Sequence, residues 1–431
     1  MVGLIDCDNF FCSCERVFRP DLADKPVVVL SNNDGCVVAR SREVKAMGIP
    51  DCLPYYQLEQ CYPNSGIVAF SSNYTLYGDM SARVMAVLRE EAPDVVQYSI
   101  DEAFLDLSGM DNVDLKAWGE ALCRKVQRYT GLPVSLGIAP TRTLAKVASR
   151  FAKKYPGYNK CCLIATDEQR LTALRLTQVN DVWGIGRRMT RSLERYGVRT
   201  AHDFAQLPRS IVRADYHVTG ERTWQELNGQ SVIDVDGMDN VTRKTIVTSR
   251  SFPGMITDIA DLRSHVANYA ARCALKLRRQ NSVCAMVTTF IQSNHFRDDL
   301  PQQDRSGFNS FATPTNTTNE IVAMALGILD SIYTKGIFYK RAGIMVSDIS
   351  SADSIQPDLF HYNPERAEKY RNISKALDTV NRRIGADTVV LGSQQYREKG
   401  ADGKSVKFVN AIRRAKKSPD YSTHLGAFAV G

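Results

Sequence analysis

Three acidic residues carry the chemistry this chain is best equipped for. Asp6 closes the strand-like run Val2-Gly3-Leu4-Ile5, and Asp101-Glu102 follow a second such run that ends at Ser99. If the two runs are neighbouring strands, the three carboxylates converge on one rim and repel one another unless a cation joins them. Hard divalent ions such as Mg²⁺ take oxygen ligands and leave room for phosphate oxygens. Two of them roughly 4 Å apart can clamp the attacking and leaving oxygens of a phosphoryl transfer. A lone acidic pair at a strand end is more often a turn or a cap. Here Asp101-Glu102 runs straight into Ala103-Phe104-Leu105-Asp106-Leu107, an apolar return strand. That places the pair on a tight hairpin, which aims side chains outward from a rigid sheet.

Other residues suit a nucleotide beside such a rim. Phe10-Phe11 follows Asp6 closely at the start of a helical pattern. Paired aromatics there commonly belong to a core, but one ring could lie under a bound sugar and leave no room for a 2′-hydroxyl. Arg42 and Lys45, three apart, share one helix face, and Lys153-Lys154 ends another helix. Such cations neutralise a triphosphate in the transition state, unless they are simply a solvated face. Val182-Trp183-Gly184-Ile185-Gly186, followed by Arg187 and Arg188, reads as a helix-hairpin-helix. Gly184 and Gly186 let backbone amides approach a phosphate, a grip on DNA that reads no bases. A plain glycine turn is the alternative. Gln356-Pro357-Asp358-Leu359-Phe360 sets an apolar pair in a polar stretch, an anchor seeking a groove or ordinary tail residues.

The elements that must position these residues are legible in outline. A chain of 431 residues exceeds one typical core. Strand-like runs at Val2–Cys7, Val95–Ser99, Ala103–Leu107, Pro133–Ala139 and Cys161–Ala165 alternate with helical patterns at 9–18, 74–91, 115–129 and 143–153. This predicts an α+β sheet layered with helices. Residues 20–70 are richer in Pro, Asn and Gly, with a hairpin signal at 32–35, and read as a small insertion. Residues 167–237 read as compact helices and 239–244 as a linker. Residues 245–349 read β-α-β-β-α-β. Beyond 350 the pattern weakens into a charged helical stretch and a basic segment, 404–417, a tail that is mobile or orders on a partner.

Composition bounds the rest. Residues 242–431 hold 27 basic and 17 acidic residues, and the first 241 hold 28 and 30. A basic rear half suits a polyanion, or is a solvated surface. The eleven cysteines are odd in number and lack zinc spacing, so they read as reduced structural thiols. No run is long enough for a membrane span and no signal peptide is evident, which points to the cytoplasm.

Together, Phe18–Leu22, Lys25–Cys36, Phe70–Tyr74, Tyr98–Phe104 and Asp181–Arg188 resemble the Y-family of translesion DNA polymerases, on its UmuC-type branch, over nearly the whole chain. Gln356–Phe360 is similar to the motif that docks polymerases on the sliding clamp. The resemblance implies a multidomain right-hand polymerase. Its palm would be 1–20 with 70–165, its fingers 21–69, its thumb 166–240, its little finger 243–348 and its C-terminal tail 349–431. It implies error-prone synthesis past lesions in a DNA-damage (SOS) response. Asp6, Asp101, Glu102 and the Cys7 carbonyl would hold two Mg²⁺ ions. Phe11 falls on the steric gate, beside Phe10. Arg42, Lys45 and Lys153 fall on triphosphate contacts, although many members carry Tyr-x-x-Arg where this chain has Arg42-x-x-Lys45. Gly184, Gly186, Arg187 and Arg188 would bind DNA; Gln356, Asp358, Leu359 and Phe360 would bind the clamp. Implied partners are primer-template DNA, deoxynucleoside triphosphates, the clamp, a UmuD-type dimer and a RecA filament near the nucleoid. A catalytically silent DNA-bound scaffold and another palm-type nucleotidyl transferase are the rival readings.

Overall fold

The computed structural model describes residues 1–235, 242–357, 362–397, 406–408, 414–419 and 421. The chain forms two compact units, one from 1–241 with 414–431 and one from 242–413.

The first unit begins with β1 (Val2–Cys7) and α1 (Phe10–Val17), then β2 (Val27–Leu30), β3 (Val37–Arg40), α2 (Arg42–Ala46), α3 (Tyr55–Cys61) and β4 (Val68–Ser71). It continues with α4 (Tyr74–Glu91), β5 (Asp94–Gln97), β6 (Glu102–Asp106), α5 (Leu115–Thr130), β7 (Val134–Ala139), α6 (Arg142–Lys154) and β8 (Cys161–Leu163). Four further helices are α7 (Asp167–Leu176), α8 (Arg187–Leu193), α9 (Ala201–Ala205) and α10 (Arg209–Leu227).

β1 is the centre of a five-stranded sheet in the order β5-β6-β1-β7-β8. It pairs antiparallel with β6 and with β7. Strand side chains alternate between faces. Ile5 and Cys7 accordingly join a core with α4 and α5, whereas Leu4 joins α6 and the following helices. Asp6 lies on the Leu4 face. α4 covers the first face because Leu76, Tyr77, Met80, Val84, Val87 and Leu88 recur at helical spacing and are buried. The helices have local reasons to start: Asn73, Asp114, Thr141 and Thr166 each cap one with a side-chain oxygen.

α6 lies unusually close to β7. A Cβ on Gly137 would come within 2.0 Å of the Ser149 nitrogen and 2.2 Å of the Ala145 oxygen, so only glycine fits. α6 is also tied to α10. The fully buried Glu226 carboxylate accepts from the backbone N–H groups of Thr143 (2.9 Å), Val232 (2.9 Å) and Ile233 (3.0 Å). The Thr141 hydroxyl donates to the Glu226 carbonyl at 2.9 Å.

β2, β3 and β4 form a second sheet, in the order β3-β2-β4, over a core of Val28, Leu30, Val37, Val44, Ile49 and Leu58. The 32–35 signal is realised as a turn between antiparallel β2 and β3.

The second unit holds β9 (Ile246–Ile256), α11 (Ile259–Arg279), β10 (Ser282–Ser293), β11 (Asp304–Thr315), α12 (Thr318–Ile332) and β12 (Tyr339–Ser351), the expected β-α-β-β-α-β order. Its sheet runs β11-β10-β12-β9. α13 (Pro364–Arg383), β13 (Gln395–Arg397) and β14 (Val406–Phe408) follow. The expectation of a tail that orders only on a partner needs correction. Arg278 holds Asp378 of α13 by two bonds of 2.7 and 2.8 Å, and Asn268 and Ser264 on α11 both donate to the Gln394 carbonyl. The weak hydrophobic rhythm there hid a polar interface. Residues 414–419 and 421 pack instead within the first unit. Among the described residues no helix is long and apolar enough to cross a membrane. All eleven cysteines are free thiols, most of them buried.

Gly137→Ala is expected to cost about 3 kcal/mol, because the methyl group meets backbone rather than a side chain that can move. A thermal or urea melt of the full chain checks it; an unchanged midpoint would contradict the close approach.

Candidate active site

Asp6 and Glu102 are directly opposed cross-strand partners. Residues opposite one another on antiparallel strands project to the same face, so both carboxylates reach the α6 side. Asp101 sits one residue earlier, in the turn, and its carbonyl accepts from the Cys7 N–H at 2.9 Å. The Ser99 hydroxyl organises that turn. It accepts from the N–H groups of Asp101 (3.2 Å) and Glu102 (3.0 Å) and donates to the Asp101 carboxylate (2.5 Å).

α6 brings the countercharge. Lys146, Arg150 and Lys153 stand at i, i+4 and i+7, one stripe of the helix. Lys153 Nζ is 2.6 Å from Asp6 and 3.6 Å from the buried Asp8. Lys146 Nζ is 3.0 Å from Glu102, and Arg150 is 2.6 Å from Asp181. These residues, with Leu4, Val182 and Trp183, line a cleft of about 370 Å³. Lys146 also lies over the rings of Tyr98 (4.8 Å) and Trp183 (5.2 Å). One ammonium thus joins the Tyr98–Glu102 hairpin to the Val182–Gly186 turn.

Burial, the largest influence, pushes the Asp6 carboxyl up to about 6; Lys153 pulls it down, and Glu102 and Asp101 push it further up. Burial works to lower Lys153 too, but Asp6, Asp8 and Asp101 outweigh it and its net shift is upward. Among the described residues no three acidic, thiol or imidazole groups stand close enough together to hold a metal as they are. The Ser99 hydroxyl donates to the Asp101 carboxylate, and ammonium groups pair with Asp6 and Glu102. The donors still fit a hard divalent ion. They are oxygen ligands, mutually repelling and already drawing cations. The Cys7 thiol is no donor. It is buried in the core and burial raises it well above the ordinary thiol range, which leaves only its carbonyl.

The nucleotide-side candidates divide. Asn9 adopts a left-handed conformation (φ 49°) between β1 and α1. After that turn Phe10 is only 4% exposed and lies in the core, so its assignment to a nucleotide is corrected. Phe11 is half-buried, stacked on Tyr77 at 4.5 Å and 18° and edge-on to Tyr74 at 5.8 Å. Lys45 reaches Asn9 Oδ1 at 2.6 Å, which brings α2 to the same turn. Arg42 is exposed on α2.

Gly184 has φ +91° and Gly186 caps α8, with Arg187 and Arg188 exposed. The element before this turn is a short 3₁₀ segment, Val179–Asp181, rather than a full helix abutting it. Gln356 is exposed, while Asp358, Leu359 and Phe360 lie outside the described residues.

Sequence reasoning missed Lys146, Arg150 and Asp8. For the first two the signal was present in the 146-150-153 spacing, one face of the helix that holds Lys153. Asp8 gave no such signal, since its partners Ser135 (2.9 Å) and Lys160 (2.7 Å) are distant in sequence. A double-mutant cycle of Lys146→Met and Trp183→Leu is expected to return a coupling of about 1 kcal/mol in urea unfolding. Strict additivity would dissolve the link between hairpin and turn.

Residues 5–150 match the model of the impB/mucB/samB family, and residues 243–359 match that of its C-terminal domain. The chain is 39% identical to protein UmuC of Salmonella typhimurium over 425 residues, 98% of each chain. It is 26% identical to DNA polymerase IV of Caulobacter vibrioides, over 91% of this chain and 93% of that one. A Y-family DNA polymerase chimera, Dbh-Dpo4-Dbh, shares the fold at a TM-score of 0.66 and 19% identity, covering 81% of this chain and 99% of its own. A sheet rim with paired carboxylates, set in a chain related to UmuC along almost its entire length, makes this protein a member of the impB/mucB/samB family, the UmuC-like branch of the Y-family DNA polymerases.

Proposed function

We propose that the protein is a template-directed DNA polymerase performing error-prone translesion synthesis, acting at the rim where Asp6 and Glu102 face each other. That pairing, with Asp101 in the adjoining turn and a basic stripe above it, is the observation that carries the reading. The five-stranded sheet is the palm, residues 21–69 the fingers, 166–240 the thumb and 243–348 the little finger.

Asp6, Asp101, Glu102 and the Cys7 carbonyl would hold two Mg²⁺ ions. Bound there, such ions activate a primer 3′-hydroxyl and neutralise the pyrophosphate that leaves. The chain's own residues do the remaining work. Lys153 and Lys45 neutralise the triphosphate, and Lys153 exchanges its bond to Asp6 for one to phosphate. Arg42 extends the same cationic surface. Phe11, held flat by Tyr77, blocks a 2′-hydroxyl. Arg187, Arg188 and the backbone at Gly184 and Gly186 grip DNA phosphates without reading sequence. The fingers layer is small, so it encloses little of the nascent pair and discriminates weakly by shape, which admits damaged templates.

Gln356, Asp358, Leu359 and Phe360 form the clamp anchor, offsetting weak intrinsic hold on DNA by tethering. A UmuD-type dimer and a RecA filament are the remaining proposed partners, in the cytoplasm at the nucleoid.

Primer extension with Asp101→Ala as control tests the reading. Wild type is expected to extend with Mg²⁺ and the variant to lose at least about a hundredfold. Equal behaviour would favour a scaffold. Replacing Leu359 and Phe360 by Ala is expected to abolish clamp-stimulated synthesis and leave clamp-free synthesis intact; loss of both would make the segment structural.

A further inference from the structure

Residues 414–419 and 421 belong to the first unit. They add alongside β4: the Ser71 N–H donates to the Lys416 carbonyl at 3.0 Å, and the Lys416 N–H donates to the Ser71 hydroxyl at 2.9 Å. The Ala415 N–H donates to Asp34 at 3.0 Å, in the turn between β2 and β3. Lys416 lies over the Tyr55 ring at 5.3 Å, and Tyr421 stacks on Phe18 at 4.4 Å and 6°. The segment therefore touches both the central sheet layer and the smaller three-stranded layer. Both family models end by residue 359, so it lies outside the stretches they match.

Ser418 is the centre of these contacts. It is 4% exposed, accepts from Asn73 Nδ2 at 3.1 Å and donates to Glu15 Oε1 at 3.3 Å. Glu15 is fully buried on α1, and the Tyr77 hydroxyl donates to the same oxygen at 2.7 Å. Glu15 Oε2 is buried without a partner among the described residues. A buried carboxylate is costly unless its hydrogen bonds are made. Burial raises the Glu15 carboxyl, and the Tyr77 and Ser418 hydroxyls oppose that rise. Two hydroxyls thus do most of what keeps Glu15 in place, and one of them belongs to the ring on which Phe11 stacks. A relay runs from Ser418 through Glu15 and Tyr77 to Phe11.

We propose that residues 414–419 are a strap and that Ser418 is a positioning residue for sugar discrimination, holding the Phe11 ring through Glu15 and Tyr77. The inference rests on the reading of Phe11 as the residue that blocks a 2′-hydroxyl. Removing the Ser418 hydroxyl frees Glu15, lets Tyr77 tilt and widens the space beside the sugar. The effect falls on the choice between ribose and deoxyribose more than on the rate with a deoxynucleotide.

Single-nucleotide insertion on a primer-template, with dATP and ATP compared by kcat/KM, reads this out. Phe11→Ala is expected to lower the deoxy-to-ribo ratio about 10- to 100-fold. Ser418→Ala and Tyr77→Phe, each removing one hydroxyl, are expected to lower it about three- to tenfold. Ser418→Thr, which keeps the hydroxyl, restores it, and Ser418→Ala adds nothing further in the Phe11→Ala background. If Phe11→Ala lowers the ratio but Ser418→Ala and Tyr77→Phe do not, the strap inference is overturned and the gate stands. If Phe11→Ala leaves the ratio unchanged, the gate reading itself falls. An equal effect of Ser418→Ala with and without Phe11 overturns action through that ring. A thermal melt accompanies each variant; should Ser418→Ala not fold, Tyr77→Phe decides.

Discussion

The facing of Asp6 and Glu102 by a basic helix is the constraint on which the remainder rests. Like charges on adjacent strands raise each other's free energy unless cations lie close. Here the cations come from α6, and α6 can come close only because Gly137 has no side chain. Strand parity then decides everything downstream. Asp6 and Glu102 face the helix, while Ile5, Cys7, Ala103 and Leu105 turn the other way into the core under α4. A one-residue slip between β1 and β6 would bury the acids and expose the core, so the hydrophobic pattern that holds the sheet also holds the chemistry in register.

Lys153 pairs with Asp6 and Lys146 with Glu102, so both acids of the rim are met by one face of α6. The smaller three-stranded layer joins this arrangement through polar contacts: Lys45 on Asn9 and the 2.6 Å pair of Arg16 with Glu43. It also shares the core of the sheet, since Val27 and Val29 of β2 and Phe70 of β4 lie in one cluster with Ile5 and Leu105, while Val28, Leu30 and Val37 face a second apolar cluster of its own.

Much of this was legible in the residues. Short apolar runs bounded by polar turns disclosed the strands, because alternation and burial leave a direct trace in residue type. The 32–35 turn and the β-α-β-β-α-β order followed from the same trace. What escaped were features with no local signature. The core position of Phe10 depends on where α1 starts, which the left-handed turn at Asn9 sets, since adjacent helical residues project about 100° apart. The Ser99 turn, which holds the Asp101 carboxylate through a hydroxyl, is a hydrogen-bond arrangement that spacing does not encode. The ordering of residues 364–394 on α11 rests on Arg278–Asp378 and Asn268–Gln394, polar contacts across 100 and 126 residues. Hydrophobic periodicity is blind to such pairs.

Glu226 has a mechanical meaning. A charge sealed among three amide donors from α6 and the chain after α10 cannot be parted from them without stranding it in a dry interior. The helical layer is thereby riveted to the sheet at the foot of the helix that carries Lys146 and Lys153. Hinging that layer against α6 would have to break these bonds together, so the two elements behave as one rigid piece.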